Sequence, residues 1–168
     1  MIFLDDGYLD TYLHAIPILD ELGIQCVLSV AYDLIGGHYK ENAMMSWDQV
    51  IEASKKHMIA CHGMSHNIIT PENFKQEVLD AKAKLEDKVQ RPVALFVFPQ
   101  DVQLRDENLL RVMEETFAYI RPPRYERVYH LVGFDNPGGF KFFKHVDYFR
   151  NEVYKYYNET CKLRRTYD

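Results

Sequence analysis

Two adjacent carboxylates are the first residues of this sequence that could do chemistry. Asp5 and Asp6 follow the apolar pair Phe3-Leu4 and precede Gly7. The apolar residues predict a short strand, so we place the carboxylates at a strand end. Like charges this close are unfavourable unless a cation or a proton lies between them. Taken alone, the three residues are also explained as a turn whose carboxylates cap the next helix.

Two histidines further along the chain complement these carboxylates. His62 and His66 lie four residues apart, directly after a predicted strand at 58–61. In parallel sheets, ligand-binding residues gather at the carboxyl ends of strands, where both groups are expected. One aspartate and two histidines make three metal ligands, which leaves a fourth position for water in a hydrolytic centre. The pattern therefore predicts a catalytic metal centre, although the histidines by themselves could be surface residues.

Length and composition indicate one globular domain, which we place over residues 1–168. The net charge of −5 argues against a nucleic-acid partner, since phosphate backbones require clustered Lys and Arg. No apolar run is long enough to span a bilayer, so we expect no membrane span. We expect a cytoplasmic protein if Met1 is the true start, and an exported or cell-envelope protein if the sequence is a trimmed piece. The oligomeric state is left open.

Predicted strands and helices alternate along most of the chain. Periodicity, caps and turn residues predict helices at 9–22, 47–57, from 70 onward and from 106 onward, and strands at 24–30, 58–61, 93–98 and 117–120. Residues 32–45 are predicted to be a long loop, with a further strand at 128–134 and a last helix at 144–162. This alternation predicts a parallel sheet with helical crossovers.

The two motifs, in this order, resemble those of the polysaccharide deacetylases, the NodB-homology domains of carbohydrate esterase family 4. Phe3-Leu4-Asp5-Asp6-Gly7 is similar to Thr-Phe-Asp-Asp-Gly, and the segment from His62 to His66 is similar to His-Ser/Thr-x-x-His. Gly63 stands in the Ser/Thr position. The resemblance covers residues 2 to about 121. It implies an α/β fold with parallel strands, in the form of a distorted or incomplete (β/α) barrel.

The resemblance also implies a function. Asp6, His62 and His66 would hold a divalent metal, zinc in the first place, with Co²⁺, Ni²⁺ or Mn²⁺ as alternatives. Asp5 would be the general base, because a carboxylate that does not bind the metal stays free to take a proton from water. The chain would then be a metal-dependent hydrolase that removes N-acetyl groups from an amino-sugar polysaccharide or glycan. An acetylated glycan would be its partner.

The later motifs depart from the family pattern. An Arg often stands two residues before the Pro of the third motif, where it braces the catalytic aspartate, but Val97 stands there in this sequence. The aromatic residue before that Pro, in Phe98-Pro99, is similar to a subgroup that acts on poly-N-acetylglucosamine. No clear Leu-x-His motif supplies the general acid, so His145 is our prediction and His130 the other candidate. The alternative functions are a catalytically silent relative that binds metal or glycan, and an O-acetyl carbohydrate esterase.

Overall fold

A five-stranded parallel sheet forms the centre of the computed structural model, which describes residues 2–102 and 104–121. In chain order the strands are β1 (Ile2–Leu4), β2 (Cys26–Val30), β3 (His38–Tyr39), β4 (Asn42–Ala43), β5 (Met58–Cys61), β6 (Leu95–Val97) and β7 (Tyr119–Arg121). The sheet order is β1-β2-β5-β6-β7, with all neighbours parallel, whereas β3 and β4 form a separate antiparallel hairpin. The predicted α/β architecture is confirmed.

Helices connect the strands of the sheet. They are α1 (Ile16–Glu21), α2 (Trp47–Ala53), α3 (Ala81–Val89) and α4 (Glu107–Thr116), and π-helical segments at Thr11–Ala15 and Lys75–Asp80 lead into α1 and α3. Ser46 and Gln49 form the predicted capping box at the start of α2. The Asp106 carboxylate caps α4 by accepting hydrogen bonds from the N–H groups of Asn108 and Leu109. These helix starts were predictable because capping is a local interaction.

The core lies between the sheet and the helices. Strand β2 is buried along its whole length, as expected for an inner strand of a parallel sheet. The helical segment before β6 contributes the predicted apolar stripe of Phe74, Val78, Ala81 and Leu85, all of which are buried. Close packing of this kind fixes the strand ends. It thereby fixes the loops that carry the polar motifs.

Several predicted boundaries were wrong by one or two residues, and three predictions were wrong in a larger way. The predicted loop at 32–45 contains the β3–β4 hairpin, whose two-residue strands are too short to give an alternating pattern. Helix α2 ends at Ala53, earlier than the predicted residue 57. The helical segment expected from Thr70 begins later, with Phe74 as its N-cap. The Asn73 side chain accepts a hydrogen bond from the Thr70 N–H, which forms a turn in place of the first helical turn.

The two edge strands of the sheet approach each other. Three strands separate β1 from β7, a distance of about 19 Å in a flat sheet. The Arg121 guanidinium nevertheless lies over the Phe3 ring, with Cζ 4.7 Å from the ring centroid. One side chain bridges the edges because the sheet is curled, as in a barrel. This geometry agrees with the expected incomplete (β/α) barrel.

The described residues belong to a compact unit that spans Met1–Glu126. The strand predicted at 128–134 and the helix predicted at 144–162 lie outside the described residues. The single domain over residues 1–168 therefore stays a prediction. Within the described part of the chain, no helix combines the length and the apolar character that crossing a membrane requires.

Candidate metal centre

A tight turn follows β1 and carries the two carboxylates. Asp6 has φ of +70° and Gly7 has φ of +83°, in the left-handed region that glycine favours and aspartate tolerates. The Gly7 N–H donates to the Asp5 carbonyl oxygen at 2.9 Å. A Cβ atom at Gly7 would lie only 2.9 Å from Cδ1 of Ile35. The motif needs its glycine for both conformation and space.

The structure brings Asp6, His62 and His66 together. Oδ1 of Asp6 lies 3.1 Å from Nε2 of His62 and 3.1 Å from Nε2 of His66. The three ligand atoms all lie within 4.8 Å of one another. Both histidines are buried. These residues, separated widely in the sequence, offer one carboxylate oxygen and two imidazole nitrogens to a common point.

Asp5 lies beside this cluster but has different partners. Its Oδ1 accepts a hydrogen bond from the Ser29 hydroxyl on β2. Its Oδ2 lies 2.5 Å from Nη2 of Arg121, the last residue of β7. Both carboxylate oxygens of Asp5 are therefore engaged, whereas Asp6 faces the histidines.

The His62 ring is held in one orientation. The backbone N–H of His62 donates to the Val30 carbonyl oxygen at 3.0 Å, just beyond the β2–β5 pairing. The ring Nδ1 lies 2.8 Å from the Val97 carbonyl oxygen. Because a carbonyl oxygen only accepts hydrogen bonds, Nδ1 carries a proton. The neutral ring then presents the lone pair of Nε2 to the cluster, as metal-binding imidazoles do.

The His66 side chain is placed by its loop. Its backbone has φ of +63°, and its carbonyl oxygen accepts a hydrogen bond from Nε2 of Gln100 at 3.0 Å. The ring packs edge-on against Tyr39 of the hairpin, with 5.2 Å between centroids. Its buried Nδ1 has no hydrogen-bond partner among residues 2–102 and 104–121. The ring is thus fixed by packing and backbone geometry.

The ionisation of Asp6 depends on the two histidines that it contacts. Burial acts to raise the pKa of Asp6, but hydrogen bonds to His62 and His66 and the charges of these rings outweigh it, so the pKa lies well below its usual range. Burial acts to lower the pKa of His62, but the hydrogen bond to Asp6 and the charges of Asp5 and Asp6 raise it overall. An ionised carboxylate thus faces the His62 ring, which binds a proton more readily than a free imidazole does. A divalent cation could replace that proton, so the residues fit a metal ion.

A buried carboxylate anchors the loop between the histidines. Oε2 of Glu77 accepts hydrogen bonds from the N–H groups of Met64 at 2.8 Å and Ser65 at 3.0 Å, and Oε1 accepts one from the Ser65 hydroxyl. Glu77 is only 2% exposed. Gly63 has φ of +87°, and a Cβ atom there would lie 2.9 Å from Oε2 of Glu77. The absence of a side chain at Gly63 makes room for the carboxylate that shapes the His66 loop.

Three residues around the cluster were not predicted from the sequence: Ser29, Glu77 and Arg121. Two of them left a signal in the sequence. Ser29 is a polar residue inside an apolar strand, and Glu77 lies beside Val78 on the core-facing stripe of its helix, where a carboxylate needs partners. Arg121 left none, because its partner lies 116 residues earlier. His145, the predicted acid, and His130 lie outside the described residues.

Comparison with known proteins decides the family. The family description of polysaccharide deacetylases matches residues 1–116. The chain belongs to the polysaccharide deacetylase family. No curated protein matches the chain. The resemblance first noted in the two motifs is thus confirmed over most of the chain.

Solved structures of polysaccharide deacetylases share the fold. IcaB from Ammonifex degensii is 19% identical with a TM-score of 0.62, over 70% of this chain and 56% of that one. The deacetylase PplD from Streptococcus pyogenes, in complex with acetate, is 19% identical with a TM-score of 0.60, over 68% and 50%. A mutant of BA3943, a CE4 family pseudoenzyme with restored activity, is 15% identical with a TM-score of 0.55, over 71% and 43%. The matched region spans about half of these chains and confirms the incomplete NodB-type barrel.

We expect the metal-free protein to gain stability from the Asp6–His62 pair chiefly between pH 3.8 and pH 6.5. The lowered pKa of Asp6 adds stability above its unfolded value of 3.8, which is lost as pH falls through the folded pKa. The raised pKa of His62 adds stability below its unfolded value of 6.5, which is lost as pH rises through the folded pKa. Urea denaturation of chelator-treated wild type and Asp6→Asn measures this. The stability difference should be largest in the window, and a difference independent of pH would contradict the coupling.

Replacing Glu77 tests the anchored loop. Glu77→Ala should lower the free energy of unfolding by about 2 kcal/mol or more, because two buried backbone donors lose their acceptor. The matched control is Glu52→Ala, which removes an exposed carboxylate paired with Lys55 and should cost less than about 1 kcal/mol. Equilibrium urea denaturation of both variants gives the comparison. Equal small losses would show that the anchor contributes little.

Proposed function

We propose that this polysaccharide deacetylase uses a divalent metal ion to remove N-acetyl groups from an amino-sugar polysaccharide or glycan. The observation that carries the proposal is the cluster of Asp6, His62 and His66, whose ligand atoms lie within 4.8 Å of one another. Three protein ligands leave a coordination position for water, as in hydrolytic metal sites. The family match supports the chemical class of the reaction.

The cluster suits a zinc ion. One carboxylate oxygen and two imidazole nitrogens are ligands that zinc prefers, and Co²⁺, Ni²⁺ and Mn²⁺ accept the same set. When bound, such an ion would lower the pKa of a water molecule and polarise the carbonyl oxygen of the acetyl group. The contribution of the chain is to orient the ligands. The Val97 carbonyl oxygen does this for His62 by holding the proton on Nδ1.

Asp5 is the residue that we propose as general base. Its carboxylate lies outside the cluster, and its side chain is 36% exposed, so water can reach it. A base must stay close to the cluster without binding the ion, because its lone pair has to accept the proton of the attacking water. The hydrogen bonds from Ser29 and Arg121 support this separation. We retain His145 as the proposed general acid, which would donate a proton to the leaving amine.

A catalytically silent relative is the alternative that an experiment must exclude, since the family contains the pseudoenzyme BA3943. Other observations support turnover. The neighbour PplD was solved with acetate, which is the product of acetyl hydrolysis. Asp5 and the whole cluster are present in this chain.

Two substitutions should separate metal binding from catalysis. Asp6→Ala should lose the metal, whereas Asp5→Asn should keep it and reduce acetate release by about 100-fold or more, the range for loss of a general base. Bound metal is measured by elemental analysis, and acetate release by an enzymatic assay on β-1,4- and β-1,6-linked N-acetylglucosamine oligomers. Asp87→Asn, an exposed carboxylate on α3, is the matched control and should behave as wild type.

Each outcome has a clear meaning. Metal bound by the wild type without acetate release from either oligomer would favour the silent relative. Unchanged metal content in Asp6→Ala would contradict the proposed site. Full activity in Asp5→Asn would remove Asp5 as the base.

A further inference from the structure

The ion pair between Asp5 and Arg121 joins opposite edges of the sheet. Nη2 of Arg121 lies 2.5 Å from Oδ2 of Asp5, and the Arg121 side chain is only 16% exposed. The guanidinium also lies over the Phe3 ring at 4.7 Å, which restricts it further. Arg121 is the last residue of β7, and Asp5 follows β1 directly. A partly buried, charge-assisted contact of this kind fixes orientation better than an exposed pair does.

The register of the sheet adds an independent observation. Arg121 is the pairing partner of Val97 in the neighbouring strand β6. Val97 is fully buried and occupies the position at which an Arg was expected from the third motif. Arg121 therefore lies directly beside Val97 in the sheet, on the strand that forms the open edge. It also lies beyond residues 1–116, the region that the family description matches.

Two adjacent carboxylates compete for one metal ion, and Arg121 can decide which of them binds it. Either Asp5 or Asp6 could bind a metal ion, and a base bound to the ion would have lost its free lone pair. Arg121 and Ser29 engage both oxygens of Asp5, whereas the carboxylate of Asp6 contacts the two histidines. Asp6 is left as the carboxylate that faces His62.

We propose that Arg121 is a positioning residue that holds Asp5 beside the metal cluster and keeps it from binding the ion. This inference rests on the proposed function, because it assigns Arg121 a role through the proposed base. Strand β7 thereby completes the site by acting across the open edge of the barrel. Loss of Arg121 frees Asp5 to turn towards the cluster, where it would compete with water for the ion.

The test measures metal affinity and turnover in the same variants. Arg121→Ala should lower kcat about 10- to 100-fold with little change in KM, since misplacement of a catalytic group by about 1 Å has effects of this size. Its affinity for Zn²⁺, measured by competition with a chelating dye, should rise severalfold, because a freed Asp5 can then bind the ion. Arg121→Lys, which keeps the charge, should recover part of kcat. Arg111→Ala, an exposed arginine on α4, is the matched control and should match wild type.

A double-mutant cycle shows whether Arg121 acts through Asp5. In the Asp5→Asn background, Arg121→Ala should change neither kcat nor Zn²⁺ affinity further. Wild-type kcat in Arg121→Ala, or loss of Zn²⁺ comparable to that in Asp6→Ala, would overturn the inference. Arg121→Gln serves if Arg121→Ala does not fold. If the wild type releases no acetate, the proposed function fails, and the Zn²⁺ affinities still decide the role of Arg121: a rise that depends on Asp5 supports it, and weaker or unchanged binding overturns it.

Discussion

Repulsion between two neighbouring carboxylates is the constraint on which the rest of this site depends. Asp5 and Asp6 cannot share one environment without raising the free energy of the ionised pair. The left-handed turn at Asp6 sends the two side chains to different partners. Asp6 faces two imidazoles, whereas Asp5 meets a hydroxyl and a guanidinium. The two carboxylates thereby lie in different environments, because each has its own charge partners.

The curled sheet makes this division possible. In a flat sheet, β7 would be too distant for Arg121 to reach the turn after β1. The curl also directs the ends of β1 and β5 towards one point, so that residues far apart in sequence form one cluster. The core packing of the helices holds these strand ends in place. The buried anchor at Glu77 adds a second level of control, because it shapes the loop that delivers His66.

The features that could be predicted from the sequence are those that local residues determine. Helix caps such as Ser46 and Asp106 act within one helical turn, and the two motifs stand directly at strand ends. Parallel topology followed from the alternation of elements. The meeting of Asp6 with the distant His62 and His66 was also expected, because both motifs follow strands at the same edge of a parallel sheet. Two other contacts between distant segments could not be predicted, because no local pattern links Arg121 to its carboxylate or Glu77 to its loop. The β3–β4 hairpin was not predicted, because strands of two residues are too short to show an alternating pattern of apolar and polar residues.

The central claim is that Asp6, His62 and His66 bind one divalent ion while Asp5 stays outside its coordination sphere. A crystal structure of the zinc-loaded protein, with the metal located by anomalous scattering, tests this most directly. We expect zinc about 2.0–2.2 Å from one Asp6 oxygen and from Nε2 of both histidines, with water in the remaining position. Zinc bound elsewhere, or a closed site in which Asp5 is the fourth ligand, would contradict this claim.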